Sequence, residues 1–473
     1  MEKKEIKPFG MRDKLGYAFG DFGNDFTFIL TASWMMIFYT SVMHVSAAVV
    51  GTVMMLARFV DAVTDVTMGQ IVDRSKPTKD GKFRPWIRRM CIPCALACFL
   101  IFQAEFANAA TGFKIAWMAI TYLLWGSFMY TSVNIPYGSM ASAITSNADE
   151  RTQLSTWRTI GATCAGLLIG MLPPLLVYVN VNGQKTLDGT RMMILAGAFA
   201  VCAVICHMLC FKLTTERVQV PQQTEKLDVG KMLKSIVTNR ALVGIILAAI
   251  ALLLGMLGMS GMLGYMFPYY FNNTTMQSMA SLATSIIVLA VCATCAPPLA
   301  KKFGKKEVST VSCLFSAIVF AVLFIIKTKN VYVYFIGYLL AYAGLGFFNT
   351  LVWAMITDVI DDSEVKTGTR EDGTIYSVYS FARKLGQALS SGMIGALLTA
   401  AGWGVGTEAQ IAAQLADPWS TPAAMEGMYN IACLVPGIGL LVVAIALKFL
   451  YPLSKAKVDA NVAELAKRRG ETV

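Results

Sequence analysis

About twelve apolar runs of membrane-spanning length follow one another along the chain, and that succession constrains the fold more than any other feature. They cover approximately 16–40, 46–72, 87–106, 113–142, 153–181, 191–213, 241–271, 277–300, 308–327, 331–360, 374–402 and 425–450. A segment that crosses lipid must satisfy its own backbone hydrogen bonds, so runs of this length read as α-helices. Only 15% of the 473 residues are charged, whereas 56% are hydrophobic. A water-soluble chain of this size needs more polar surface than that to cover its core. An all-α membrane protein is therefore expected.

Lys and Arg sort the connections between the runs. Asp73-Arg74-Ser75-Lys76 through Lys82-Phe83-Arg84-Pro85 follows the second run, and Lys301-Lys302-Phe303-Gly304-Lys305-Lys306 follows the eighth. The stretch holding Lys212, Arg217, Lys226, Lys231, Lys234 and Arg240 follows the sixth. Gly402 to Pro422 and Asn272 to Ser278 contain neither residue type. Cytoplasmic loops carry the positive excess, so the basic connections and both termini are expected in the cytoplasm, with an even number of spans. Gly69-Gln70-Ile71-Val72-Asp73-Arg74 and Pro297-Pro298-Leu299-Ala300-Lys301-Lys302 each lead into a basic loop, six runs apart. This weak repeat predicts two six-helix halves, 1–213 and 241–452, joined by a cytoplasmic linker at 214–240 and followed by a cytoplasmic tail at 453–473.

The net charge of +11 comes from basic residues that flank apolar runs. That is the bias of cytoplasmic loops, not a nucleic-acid footprint, and no nucleic-acid partner is expected. The 11 cysteines fall almost wholly inside apolar runs. Cys91-Ile92-Pro93-Cys94 has a redox-like spacing, and Cys202, Cys206 and Cys210 share a helical one, but only His44 and His207 could join them as ligands. Packing inside membrane helices accounts for them. Met1 to Lys14 is charged and runs into a long span without a small-residue cleavage site, so no removable signal peptide is expected. Without a Ser/His/Asp grouping, an HExxH-type motif or a phosphate-binding loop, neither a membrane-embedded enzyme nor an ATP-driven pump is expected.

The informative residues are ionisable groups within the apolar runs. Each costs roughly 2.5–3.5 kcal/mol at mid-bilayer on insertion scales and so demands a reason. Asp25 stands in the first run, and Arg58, Asp61 and Asp65 stand in the second. The last three are spaced i, i+3, i+7 and share one helix face. Two carboxylates one turn apart form a hard-oxygen site suited to Na⁺ or a shared proton. A structural ion pair would use one aspartate, but three against Arg58 leave surplus negative charge. Tyr130-Thr131-Ser132-Val133-Asn134 in the fourth run offers hydroxyls and an amide to a cation or a sugar, or to its own backbone beside Pro136. Arg158, early in the fifth run, either serves a substrate or snorkels to the interface. Lys384, inside the eleventh run, neutralises carboxylates of the other half or anchors the helix; Arg383 beside it reads as an anchor or a substrate contact.

At these residues the chain resembles the glycoside–pentoside–hexuronide:cation symporters, the melibiose-permease branch of the major facilitator superfamily. The similarity runs over nearly the whole length. It is densest at Tyr17–Phe26, Ala57–Asp65, Gly81–Trp86, Tyr130–Tyr137 and Asp358–Gln387. The resemblance implies twelve helices in two six-helix halves. It implies a cation site at Asp61, Asp65 and Thr131 with Lys384 nearby, Asp61 and Asp65 being the Na⁺ ligands. It implies substrate contacts at Asp25, Tyr130 and Arg158, with which Asn134 and Arg58 are grouped. Melibiose permease carries a carboxylate where this chain has Asn134, an indole where it has Gly138, and an amide where it has Thr64. Asn134-Ile135-Pro136-Tyr137-Gly138, Phe381-Ala382-Arg383-Lys384-Leu385-Gly386-Gln387 and Tyr451-Pro452-Leu453 look closer to the glucuronide and pentoside transporters.

The expected function is secondary active transport of a glycoside, pentoside or hexuronide, driven by Na⁺ or H⁺ through alternating access. A carrier of another amphiphile, such as a lipid or steroid conjugate, is the alternative. No cofactor is expected beyond the co-transported cation. The expected partners are the sugar, the cation and membrane lipid, the chain working as a monomer in a bacterial plasma membrane. Arg74, Lys82 and Arg84 are expected to gate the cytoplasmic side, with Asp358, Asp361 and Asp362 as their counter-charges.

Overall fold

The computed structural model describes residues 8–218, 239–368 and 372–469. Each of the twelve expected runs falls largely on helix, and nine described helical segments are long and apolar enough to cross a membrane. The chain forms two compact units: residues 1–225 with 403–420, and residues 226–402 with 421–473.

The first unit contains α1 (Met11–Ser41), α2 (Ala47–Arg74), α3 (Arg84–Ile101), α4 (Thr111–Leu123), α5 (Thr131–Ile144), α6 (Ala148–Leu176) and α7 (Gly189–Leu213). A π-helical turn, Leu124–Tyr130, links α4 to α5 without a break. α1 packs chiefly on α6 and α7, and α3 on α7. These approaches need missing side chains. A Cβ at Gly161 of α6 would stand 2.2 Å from the Ala18 carbonyl oxygen of α1, and one at Gly20 would stand 2.2 Å from the Tyr137 ring. Small residues at such crossings are how membrane helices come close.

The fifth run ends earlier than expected. α6 stops at Leu176, and β1 (Tyr178–Val181) pairs antiparallel with β2 (Gln184–Leu187), Tyr178 opposite Leu187 and Val181 opposite Gln184. Asn182 and Gly183 form the two-residue turn, with φ of 51° and 86°. Both central residues of such a turn need positive φ, which Asn-Gly supplies. The fold is thus all-α apart from this hairpin among the described residues.

The second unit contains α8 (Arg240–Tyr265), α9 (Thr274–Ile286), α10 (Ala293–Phe303), α11 (Lys305–Ile326), α12 (Val331–Thr367), α13 (Asp372–Ala400), α15 (Pro422–Ile445) and α16 (Lys455–Arg469), while α14 (Glu408–Ala416) belongs to the first. α8 packs chiefly on α13 and α15, and α11 on α12 and α15. The first helix of each unit therefore leans on the same two successors, which is the packing a parallel repeat produces. Asn147, Asp188, Asn239, Asn273, Asn330 and Thr407 each cap the helix that follows by accepting a backbone N–H. Such caps start helices sharply and let the connections stay short.

Residues 403–420 differ from the expected halves. They follow α13 in the chain yet pack with the first unit, where Lys114 of α4 binds Glu408 of α14. The expected linker lies largely at 219–238, outside the described residues, as do 470–473 of the tail.

Candidate functional site

α2 carries the first cluster. Arg58, Asp61 and Asp65 lie on one face, as their spacing requires. The helical path through the π turn brings Ser127 and Thr131 against that face. Ser127 Oγ donates to Asp61 Oδ1 at 2.6 Å, and Thr131 Oγ1 to Asp65 Oδ1 at 2.8 Å. Two carboxylates at i, i+4 thus meet two hydroxyls at i, i+4. Gly126 also lies against Asp61, where a Cβ would stand at ordinary contact distance, 3.5 Å, from Oδ1. A π turn inserts one residue into the helical register, a device often found at functional sites. Ser127 was absent from the sequence expectation; its spacing from Thr131 was the available signal.

Arg58 completes this cluster. Its Nη1 lies 3.1 Å from Asp61 Oδ2, and its guanidinium sits 5.3 Å from the Phe28 ring and 6.0 Å from the Tyr122 ring. Arg58 was expected among the substrate contacts, but the structure spends its charge on Asp61. The cluster thus sets two carboxylates, two hydroxyls and one guanidinium together on the α2 face. Among the described residues no group of three or more His, Cys, Asp and Glu could hold a metal ion. The candidate site is therefore two carboxylates with hydroxyls, an all-oxygen set of the kind hard cations take. Thr64 turns its hydroxyl back onto the Val60 and Asp61 carbonyls, away from the carboxylates.

α1 carries the second cluster. Arg158 of α6 was expected to act with Asp25, but its Nε lies 3.0 Å from Asp21 Oδ1. Its guanidinium also sits 5.5 Å from the Tyr137 ring, which stacks on Tyr17 at 4.7 Å. The Tyr137 hydroxyl donates to the Tyr17 carbonyl at 2.7 Å and fixes that platform. Asp21 was overlooked in sequence, although it stands one turn from Asp25 on the same face. Asp25 is half-buried, within electrostatic reach of Asp21 and Arg158, yet it makes no hydrogen bond or ion pair with a described residue. Tyr130 stacks against Phe28 at 5.6 Å and leans on Trp125 at 5.4 Å, and no described residue bonds its hydroxyl. Asn134 is half-buried and likewise lacks a hydrogen-bonding partner among the described residues. These three half-buried polar ends are therefore free to meet water or a ligand.

The remaining expected residues are distributed differently. Lys384 lies half-buried on α13, in the second unit. The expected gate charges find partners inside their own units. Lys82 Nζ donates to the Asp73 carbonyl at 3.0 Å and Arg84 Nη2 to the Phe211 carbonyl at 2.5 Å, while Arg74 is exposed. Asp358 accepts from Lys305 at 2.6 Å, and Asp362 from Lys366 and Asn461 at 2.5 and 3.1 Å. The cysteines of the described residues are free thiols, most of them buried.

Known proteins with this sequence pattern are transporters. A family profile described as MFS/sugar transport protein matches residues 16–455. The isoprimeverose transporter of Lactiplantibacillus pentosus is 32% identical over 405 residues, which cover 85% of this chain and 83% of that one. The glucuronide carrier protein homolog of Escherichia coli (strain K12) is 28% identical, covering 97% of this chain and 96% of its own. The crystal structure of a D-xylose-proton symporter shares the fold, with a TM-score of 0.60 at 13% identity over 94% of this chain and 98% of that one. The helical spans, the paired carboxylates of α2 and these similarities agree: the chain belongs to the MFS/sugar transport protein family.

Proposed function

We propose that this protein is a cation-coupled secondary transporter of a glycoside-class sugar, working by alternating access. The observation that carries the reading is the double pairing of Asp61 with Ser127 and Asp65 with Thr131 beside one guanidinium. Binding of Na⁺ or H⁺ neutralises the site, and that change in charge is what a coupled transporter uses. The sugar is held by Asp25, Tyr130 and Asn134, with Arg158 positioned by Asp21. A carboxylate can accept from two sugar hydroxyls, each such bond worth roughly 1.5–3 kcal/mol. The stacked rings of Phe28 and Tyr130, both half-buried, offer an apolar face that a pyranose packs on. Lys384, which the resemblance to the family groups with the cation site, is a positive charge that coupling draws on.

The names of the relatives support a sugar-type substrate. The basic connections support a multi-pass protein of a bacterial plasma membrane with both termini cytoplasmic. The transport role assigns no catalytic residue and needs no cofactor. The test is counterflow in proteoliposomes with a panel of pentosides, glycosides and uronides, with and without Na⁺ and at two pH values. Saturable, cation-stimulated exchange of at least one member is expected. Cation-independent leakage of every member, unchanged in Asp61→Asn and Asp65→Asn, would overturn the reading.

A further inference from the structure

Three guanidiniums collect where α7 ends, all within the first unit. Arg84 and Arg88, one turn apart on α3, hold their guanidinium carbons 4.8 and 4.9 Å from the centroid of the same Phe211 ring. Arg84 Nε donates to the Phe211 carbonyl at 3.0 Å, and Arg12 Nη2 of α1 to the Lys212 carbonyl at 2.5 Å. Arg89 and Lys212, the chain neighbours of Arg88 and Phe211, are exposed.

The terminal carbonyls of α7 account for Arg12 and Arg84, because cations suit that end of a helix. They do not account for Arg88 and Arg89, and like charges one turn apart on a helix repel. Among the described residues these five basic groups make one ion pair, Arg88 Nη1 with Asp80 Oδ2 at 3.2 Å, and both of its side chains are exposed. A pair of that kind neutralises little. The carboxylate of Glu216 is spent on the backbone N–H groups of Lys82, Phe83 and Arg84, at 2.7, 2.9 and 2.8 Å. Positive charge is therefore left over at this edge.

Beside the charges the surface turns apolar. Ile92 and Leu96 follow Arg88 at i+4 and i+8 on α3, and Val201 and Ile205 lie on α7; all four are exposed. α3 and α7 pack together, and a Cβ at Gly197 of α7 would stand 3.3 Å from the Phe99 ring of α3. In a chain that crosses lipid, such stripes meet acyl chains.

Resting on the placement of the basic connections in the cytoplasm, we propose that the α3–α7 edge of the first unit binds an anionic phospholipid of the cytoplasmic leaflet. Arg88 and Arg89 donate to the phosphate, with Arg12 and Arg84 adding positive potential behind them, and the acyl chains lie along the two apolar stripes. A guanidinium edge matches phosphate oxygens with paired hydrogen bonds. Stacking on Phe211 holds the Arg88 plane and leaves that edge open. Basic pockets between membrane helices on the cytoplasmic side attract anionic headgroups.

The test is lipid binding to the purified full-length protein, followed by native mass spectrometry, with phosphatidylglycerol and phosphatidylcholine of identical acyl chains as probes. The wild type is expected to hold phosphatidylglycerol at least twentyfold more tightly. Each basic residue near a headgroup is worth about a fivefold factor in affinity. Arg88→Gln and Arg89→Gln should each weaken phosphatidylglycerol by that factor, and together they should bring it to the level of phosphatidylcholine. Lys76→Gln with Lys79→Gln removes the same charge from the exposed connection before α3 and should keep the preference. A wild type without preference, a preference unchanged in the double arginine variant, or one lost equally in the lysine control overturns the proposal. So does displacement of the lipid by millimolar inorganic phosphate, which would mark a site for a soluble anion. Sidedness is read separately, by impermeant thiol labelling of Lys79→Cys against the parent chain in intact cells. Labelling from outside would fell the cytoplasmic placement and leave the binding result standing.

Discussion

Arg158 is bound to Asp21 and not to Asp25, its Nε lying 3.0 Å from Asp21 Oδ1. The helices decide this. α6 touches α1 at Gly161 and Ala18, Arg158 stands one turn before Gly161, and Asp21 one turn beyond Ala18. Asp25 is a further turn away, about 6 Å along the axis, and stays outside the pair.

Asp25→Ala should therefore weaken substrate binding at least tenfold, with cation binding retained, as measured by calorimetry. Asp21→Asn should act differently. The Arg158 side chain is 43% exposed, so losing the pair costs about 1 kcal/mol or less in stability. Substrate affinity should fall because Arg158 is no longer aimed. Equal affinities in wild type and Asp25→Ala would remove Asp25 from the site.

Asp61→Asn or Asp65→Asn should abolish uphill accumulation and leave downhill exchange. Ser127→Ala removes one hydrogen bond to a carboxylate, worth roughly 1.5–3 kcal/mol. If the bond helps hold the cation-bound geometry, half-maximal stimulation should need about tenfold more cation, since 1.4 kcal/mol is a factor of ten. Thr131→Ser, which keeps the hydroxyl, should be milder than Thr131→Ala. Cation titrations of uptake check all of these, and normal accumulation in both aspartate variants would exclude the pair from coupling.

Lys384→Ala should severely impair cation-driven uptake, whereas Lys384→Arg, which keeps charge but changes shape, should retain part of it. An interfacial anchor would tolerate alanine with little loss. Cation-stimulated uptake at matched membrane expression decides between them.

The segment 403–420 should be held down in a pH-dependent way. Lys114 Nζ has no solvent exposure and donates to Glu408 at 2.7 Å and to the Met43 and Ala107 carbonyls at 2.9 Å each. Hydrogen bonds from Lys114 and Thr111 hold the Glu408 carboxyl below its usual range. Burial, and then Lys114, hold His44 below its own. Lys185 lies on β2, which packs against α14. A carboxyl with a depressed pKa stabilises above its ordinary value and loses that contribution as pH falls through the depressed one. Protonation of His44 in acid adds a charge beside Lys114, so both groups act in the same direction. Hydrogen exchange in 403–420 should rise on acidification, and Glu408→Gln should raise it at neutral pH. Exchange that does not respond to either would leave the pair without a holding role.

Much of this protein was legible along the chain, because the signals are local. Lipid forces each apolar run to close its own hydrogen bonds, so the helical character of the spans follows from hydropathy, although the fifth ends at Leu176, short of its expected end. The shared face of Arg58, Asp61 and Asp65 follows from 3.6 residues per turn. The Asn182-Gly183 hairpin was also local, yet it was hidden inside an apolar run.

What the sequence by itself determined is the all-helical membrane fold, the charges that must have a function, and the α2 face that carries two of them. What only the tertiary structure decided is which groups those charges meet. Ser127 reaches Asp61 because a π turn shifts the register of the helix opposite. Arg158 takes Asp21 because Gly161 lets two backbones touch at one level and not another. Glu408 joins the first unit because the one oxygen that Lys114 lacks lies far along the chain. Spacing along a helix is set by its own backbone, but pairing between helices is set by where side chains are absent at their crossings, and no single stretch of sequence contains both sides of a crossing.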